Sequence, residues 1–162
     1  MTQEHIKTTV KKKNLNTPRH SARVAAVQAL YQMEQSGAES TQAVQDMITS
    51  RFTTTASEGY VEPDLDLFKQ LVMEASLNIE SLDAIIIPYL AENWKIERLA
   101  SVIRMILRLA IFELKECPLI PKTVIMNEYI EITREFFPGG KETNFVNSVL
   151  DKTAKALRAQ TA

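Results

Sequence analysis

The chain has 162 residues, 45% hydrophobic and 24% charged, with a formal net charge of −1, the balance of a soluble globular protein long enough for one domain with a real core. No apolar run approaches the roughly 20 residues of a membrane span, and the N-terminus lacks the apolar stretch of a secretory signal. The only cysteine, Cys117, excludes an intrachain disulfide and fits a reducing cytoplasm.

Charge is distributed unevenly. Residues 1–23 carry six Lys/Arg against one Glu, residues 24–140 nine against seventeen Asp/Glu, and residues 141–162 four against two. Two basic ends therefore flank an acidic middle, which suits a polyanion at the ends and equally suits a solvated tail beside an ordinary acidic surface.

In chain order, residues 1–16 (MTQEHIKTTVKKKNLN) have low hydrophobicity and no helical period, and read as a mobile basic tail. Thr17 as cap and Pro18 at the first helical position open a helix that runs to about Gln35 and stops before Gly37. A second helix is expected near Thr41 to Phe52, then a polar connection over 53–63. Asp64 caps a long third helix, where Leu65, Phe68, Leu71, Val72, Ala75, Ile79, Leu82 and Ile86 recur at helical spacing until Pro88 kinks or ends it. The strongest stripe lies in the fourth helix, Glu97 to Lys115, through Leu99, Val102, Ile103, Ile106, Leu107, Ala110 and Leu114. A fifth runs from Lys122 to Phe137 and ends at Pro138-Gly139-Gly140. A sixth starts with Thr143 as cap and runs to about Ala159, with Val146, Val149, Leu150 and Leu157 inward.

No segment alternates with period two. The fold class is all-α, six to seven helices in two small subdomains, 17–90 and 91–162, joined near Pro88 to Trp94 within one domain.

Catalytic chemistry is hard to find. His5, His20 and Cys117 cannot build a zinc site, so no metal is expected. There is no GxGxxG and no P-loop, so no nucleotide cofactor is expected either. Glu128, Glu131 and Glu135 share helical spacing, but no histidine accompanies them in the pattern of a helix-bundle metal site, and a solvated face is the better reading. An enzyme is not expected.

Binding chemistry is easier to find. The first helix opens with Arg19, His20 and Arg23 and then carries no charge from Val24 to Met33. Cations at a helix start, where free N–H groups add partial positive charge, suit a phosphate. Val24, Val27, Leu30 and Tyr31 read as the core side, with Tyr31 at its border. The opposite side, Ala22, Ala25, Gln28, Ala29 and Gln32, suits either close helix packing or a ligand platform. On the sixth helix Phe145 lies about 90° from the core direction, on the flank of Ser148 and Lys152. There a ring can stack a splayed base beside a cation, or simply pack on a neighbouring helix. The PGG turn would bring Phe137, Lys141 and Phe145 near one another. Glu113 falls inside an apolar arc and must be paired; it is expected to accept from free N–H groups near Lys122 to Val124 and to act structurally.

RHSARVAAVQALYQME, then ILRLAIFEL, KTVIMNEYIEITREF and NFVNSVLDK, resemble in order and spacing the motifs of the NusB family, over residues 19 to about 158. The resemblance implies an all-helical protein of two subdomains that binds the boxA element of ribosomal operon RNA together with NusE, a small-subunit ribosomal protein. The Nus antitermination complex so formed helps RNA polymerase read through terminators. It implies RNA contacts at Arg19, His20, Arg23, Tyr31, Phe137 and Phe145, to which the residue reading adds Gln28, Lys141 and Lys152. The chain departs from the family with a sparser arginine run, for which Lys11, Lys12 and Lys13 can compensate, with Asn144 and Lys141 where basic and acidic residues are usual, and with Ile103 at an acidic position. The alternative is a structural or self-associating RNA-binding domain, a homodimer among its forms, related to the NusB-like domain of ribosomal RNA methyltransferases.

Overall fold

The computed structural model describes residues 17–50 and 61–159. The tail with Lys11–Lys13, Phe52 and most of the 53–63 connection lie outside the described residues. Within them are seven α-helices: α1 Pro18–Ser36, α2 Ser40–Ser50, α3 Leu65–Leu77, α4 Ile79–Ile86, α5 Ser101–Glu116, α6 Lys122–Phe136 and α7 Glu142–Leu157. Short 3-10 turns occupy Ile87–Tyr89 and Ile96–Arg98, and the described residues contain no strand.

The chain's own punctuation sets most boundaries. The Thr17 hydroxyl accepts from the His20 N–H at 3.0 Å, Pro18 follows, and Gly37 closes α1 at φ 75°, its N–H donating to the Met33 carbonyl. The Asp64 carboxylate accepts from the Leu67 N–H at 3.0 Å and opens α3. Gly139, at φ 72°, lets the chain reverse between α6 and α7.

Three boundaries differ from the sequence reading. The long third helix is two helices, because Asn78 sends its side-chain amide to the Glu74 carbonyl at 2.7 Å, ends α3 and begins α4. The fourth predicted helix begins at Ser101 rather than Glu97; ahead of it, the Arg104 guanidinium holds the carbonyls of Glu97 and Leu99 at 3.0 and 2.7 Å in a non-helical path. Thr143 is not a cap, since α7 already begins at Glu142.

Helix α5 is the centre of the molecule. It packs against α1, α3 and α4 on one side and α6 and α7 on the other. Its residues from Met105 to Leu114, Arg108 apart, are buried, and they join one continuous apolar cluster running from Ala22 to Ala154. Paired side chains fix its neighbours. Arg108 grips Asp83 of α4 at 2.7 and 2.8 Å, and Arg104 grips Glu34 at the end of α1 at 2.8 Å. At the far end Arg158 donates to the carbonyls of Leu114, Cys117 and Ile120 at 2.8 to 3.1 Å, tying the end of α5 and the loop after it to the end of α7.

The neutral side of α1 is a packing seam. Ala22, Ala25, Ala26 and Ala29 are buried where α1 lies against α3 and α5, and residues this small permit a close approach. Tyr31, assigned to the core side, is instead 41% exposed, because the buried arc is rotated toward the alanines.

Candidate nucleic-acid interface

The three basic residues at the start of α1 have separate fates. Arg19, with its side chain 49% exposed, stands 3.9 Å from Asp64 and reaches solvent. His20 is buried between two carboxylates of α6, with Nδ1 at 2.6 Å from Glu128 and Nε2 at 2.6 Å from Glu135. Each contact needs a ring N–H, so the ring is an imidazolium. Burial works against that charge, but the two glutamates outweigh it and raise the pKa to about 9.

Arg23 is 1% exposed. Its Nε and Nη2 donate to the two carboxylate oxygens of Glu113 at 2.9 Å each, and Nη1 lies 3.6 Å from Glu128. The Tyr129 hydroxyl also donates to Glu113. Burial and the adjacent Glu113 charge hold the Tyr129 phenol well above its ordinary range, so it stays a neutral donor. Glu113 therefore does not take N–H groups near Lys122 to Val124, as its position suggested. A planar guanidinium matches a carboxylate with two parallel bonds and also cancels its charge, which backbone N–H groups cannot do in a buried place. The structural role expected for Glu113 holds with different partners. The same contact closes Arg23 to solvent, and His20 is likewise held inside by Glu128 and Glu135.

A second group gathers at the start of α7. Phe145, half-buried, stacks on Trp94 with ring centroids 5.9 Å apart and planes 29° from parallel. The pair lines a cleft of about 330 Å³ with Arg98, Leu99, Ile103 and Lys141. Ile103 forms apolar floor here. Lys141 and Phe145 thus come together, while Phe137, half-buried one turn earlier in the chain, packs against the core outside that cleft. Lys152 is exposed two turns along α7. Gln28 is half-buried on α1, with its Oε1 buried and accepting no hydrogen bond.

Sequence reasoning missed Trp94. It was read only as the end of the joint from Pro88 to Trp94, although it is the chain's single tryptophan, with Lys95 and Arg98 close by. A lone tryptophan in a polar, charged stretch outside any periodic helix was the available signal. Among the described residues no group of His, Cys, Asp and Glu could hold a metal ion, and no helix is long and apolar enough to cross a membrane.

The NusB family model matches residues 20–155. The transcription antitermination protein NusB of Caulobacter vibrioides is 39% identical over 142 residues, covering 87% of this chain and 95% of the relative. That of Allorhizobium ampelinum is 38% identical over 98% of this chain and 97% of the relative. Among solved structures, a complex of the antitermination factors NusB and NusE with double-stranded RNA contains a chain with a TM-score of 0.72 and 25% identity, over 86% of this chain and 97% of that one. NusB of T. maritima aligns with a TM-score of 0.70 and 31% identity, over 86% and 92%.

Proposed function

The chain belongs to the NusB family, and from that premise we propose that it is a non-enzymatic, RNA-binding transcription antitermination factor. Its ligand is boxA-type single-stranded RNA of ribosomal RNA operons, bound together with NusE as part of the Nus complex on RNA polymerase. The observation that carries this proposal is the likeness, over nearly the whole folded chain, to NusB crystallised with NusE and RNA.

The site geometry supports a division of labour. Arg19 is the cation of the α1 start that reaches solvent, and it supplies a phosphate contact there. His20 and Arg23 act beneath it by fastening α1 to α5 and α6. Trp94 and Phe145 offer an aromatic surface, Lys141 and Lys152 cations, and Tyr31 a half-exposed ring on α1. Phe137 backs the turn that presents Lys141. The two subdomains, 17–90 and 91–162, meet across α5 and carry these two groups respectively, Trp94 included in the second.

The test is binding of a boxA-type RNA to the full chain, with and without NusE, across a salt series, for wild type and Arg19→Ala. Affinity is expected to fall steeply with salt, and Arg19→Ala to lower the log–log slope by about 0.7 to 0.9, one phosphate contact. Unchanged slope and affinity would remove Arg19 from the site. No RNA binding in either condition would defeat the proposed function.

A further inference from the structure

A second cleft, of about 420 Å³, lies between α6 and α7. Asn127, Glu131 and Arg134 of α6 form one wall at successive-turn spacing, and Thr143, Asn144 and Asn147 of α7 form the other. The size is within the range of small-molecule sites. Its lining is mostly polar and uncharged. The exposed side-chain amides of Asn127, Asn144 and Asn147 hydrogen-bond to no protein group among the described residues, and each offers both donors and an acceptor. The Arg134 guanidinium is already engaged by Glu131, so the cleft is close to neutral.

A neutral cleft does not attract phosphate by charge. Unpaired amides instead match a ligand that presents a donor and an acceptor side by side, as the edge of a nucleobase does. Position favours the same ligand. Asn144 precedes Phe145, and consecutive residues on a helix point about 100° apart. Phe145 faces the Trp94 cleft on one flank of α7 while Asn144 faces α6 on the other. A strand stacked at Phe145 can place a neighbouring nucleotide between α6 and α7 without leaving the surface.

We infer that the α6–α7 cleft is a base-reading subsite, in which Asn127, Asn144 and Asn147 hydrogen-bond the edge of one unstacked nucleobase of the bound RNA. The inference rests on the RNA-binding function proposed above and adds sequence discrimination to it. Charge at Arg19 and stacking at Phe145 are tolerant of sequence; three convergent amides are not.

The experiment uses the full chain with NusE and a set of short single-stranded boxA-type RNAs in which each base is changed in turn. Wild type, Asn127→Ala/Asn147→Ala and Asn144→Ala are compared. Alanine is a better helix former than asparagine at these exposed positions, so the variants fold, and melting curves verify this. Wild type is expected to discriminate at one position by about ten-fold or more, and the double variant to lose that discrimination while keeping its salt slope. Full discrimination in the variants, with wild-type RNA binding intact, overturns the subsite and leaves the RNA-binding function standing. Lost NusE binding with intact discrimination overturns it too, by making the cleft a protein contact. Absence of RNA binding by wild type removes both.

Discussion

Removing the Glu113 carboxylate tests the centre of the structure. In Glu113→Ala the Arg23 guanidinium, 1% exposed, loses both 2.9 Å bonds and retains only the 3.6 Å approach to Glu128, and the buried Tyr129 hydroxyl loses its acceptor. Breaking a buried ion pair from one side costs about 3–5 kcal/mol, and an orphaned buried hydroxyl about 1–3 kcal/mol more, the two not being additive. A loss of about 4 kcal/mol is a large part of the roughly 5–15 kcal/mol that holds a domain folded. For a chain of this length it lowers the melting midpoint by about 8–16 °C. Urea and thermal unfolding followed by circular dichroism measure it. A second variant isolates the cause. Arg23→Met/Glu113→Leu/Tyr129→Phe removes both charges and the hydroxyl together, and is expected to recover most of the loss, because apolar packing replaces a buried pair at little cost. RNA affinity, measured well below both midpoints, should stay near wild type in the triple variant. If Arg23→Met instead melts like wild type and loses RNA binding, Arg23 reaches the ligand and its placement as a structural group is wrong.

Two further outcomes follow from the same geometry. The His20 pKa is raised from 6.5 to about 9 in the folded chain, so its contribution to stability is complete below pH 6.5 and disappears as pH rises through 9. The groups that face it are Glu128 and Glu135 of α6, and Glu135 is half-exposed, so the contribution is on the order of 2 kcal/mol. Unfolding free energy should therefore decline between pH 6.5 and 9 in wild type and stay flatter in His20→Gln; parallel curves would show that the imidazolium clamp contributes nothing. At the second group, Phe145→Ala should weaken RNA binding by about 1–3 kcal/mol while Phe145→Tyr retains it. Equal loss in both variants would rule out stacking at that ring.

Local chemistry made most of the fold legible. Thr17-Pro18, Gly37, Asp64 and Pro138-Gly139-Gly140 are signals whose physics acts over a few residues, and each boundary they mark stands in the structure. The apolar stripe of α5 is likewise a property of one helix, and it appears as the helix on which the others pack. Where local signals compete, the reading slipped. Asn78 interrupts an unbroken apolar period with one side-chain hydrogen bond, and Arg104 organises the segment before α5 from seven residues further along.

The site was legible as a set of residues but not as a set of roles. From the sequence alone Arg19, His20 and Arg23 are one basic cluster, since a helical wheel assigns a direction but not what lies there. The partners that separate them are remote in the chain: Glu113 is 90 residues from Arg23, and Glu128 and Glu135 are 108 and 115 from His20. The same holds for Phe145, whose flank was visible but whose neighbour Trp94 was not. The all-helical class, the turns, the central apolar helix and the NusB-like motifs are legible in the sequence, because helical period and capping are short-range. Which cations are spent inside and which face solvent is settled by the packed fold, because burial and charge pairing depend on contacts between helices far apart in the chain.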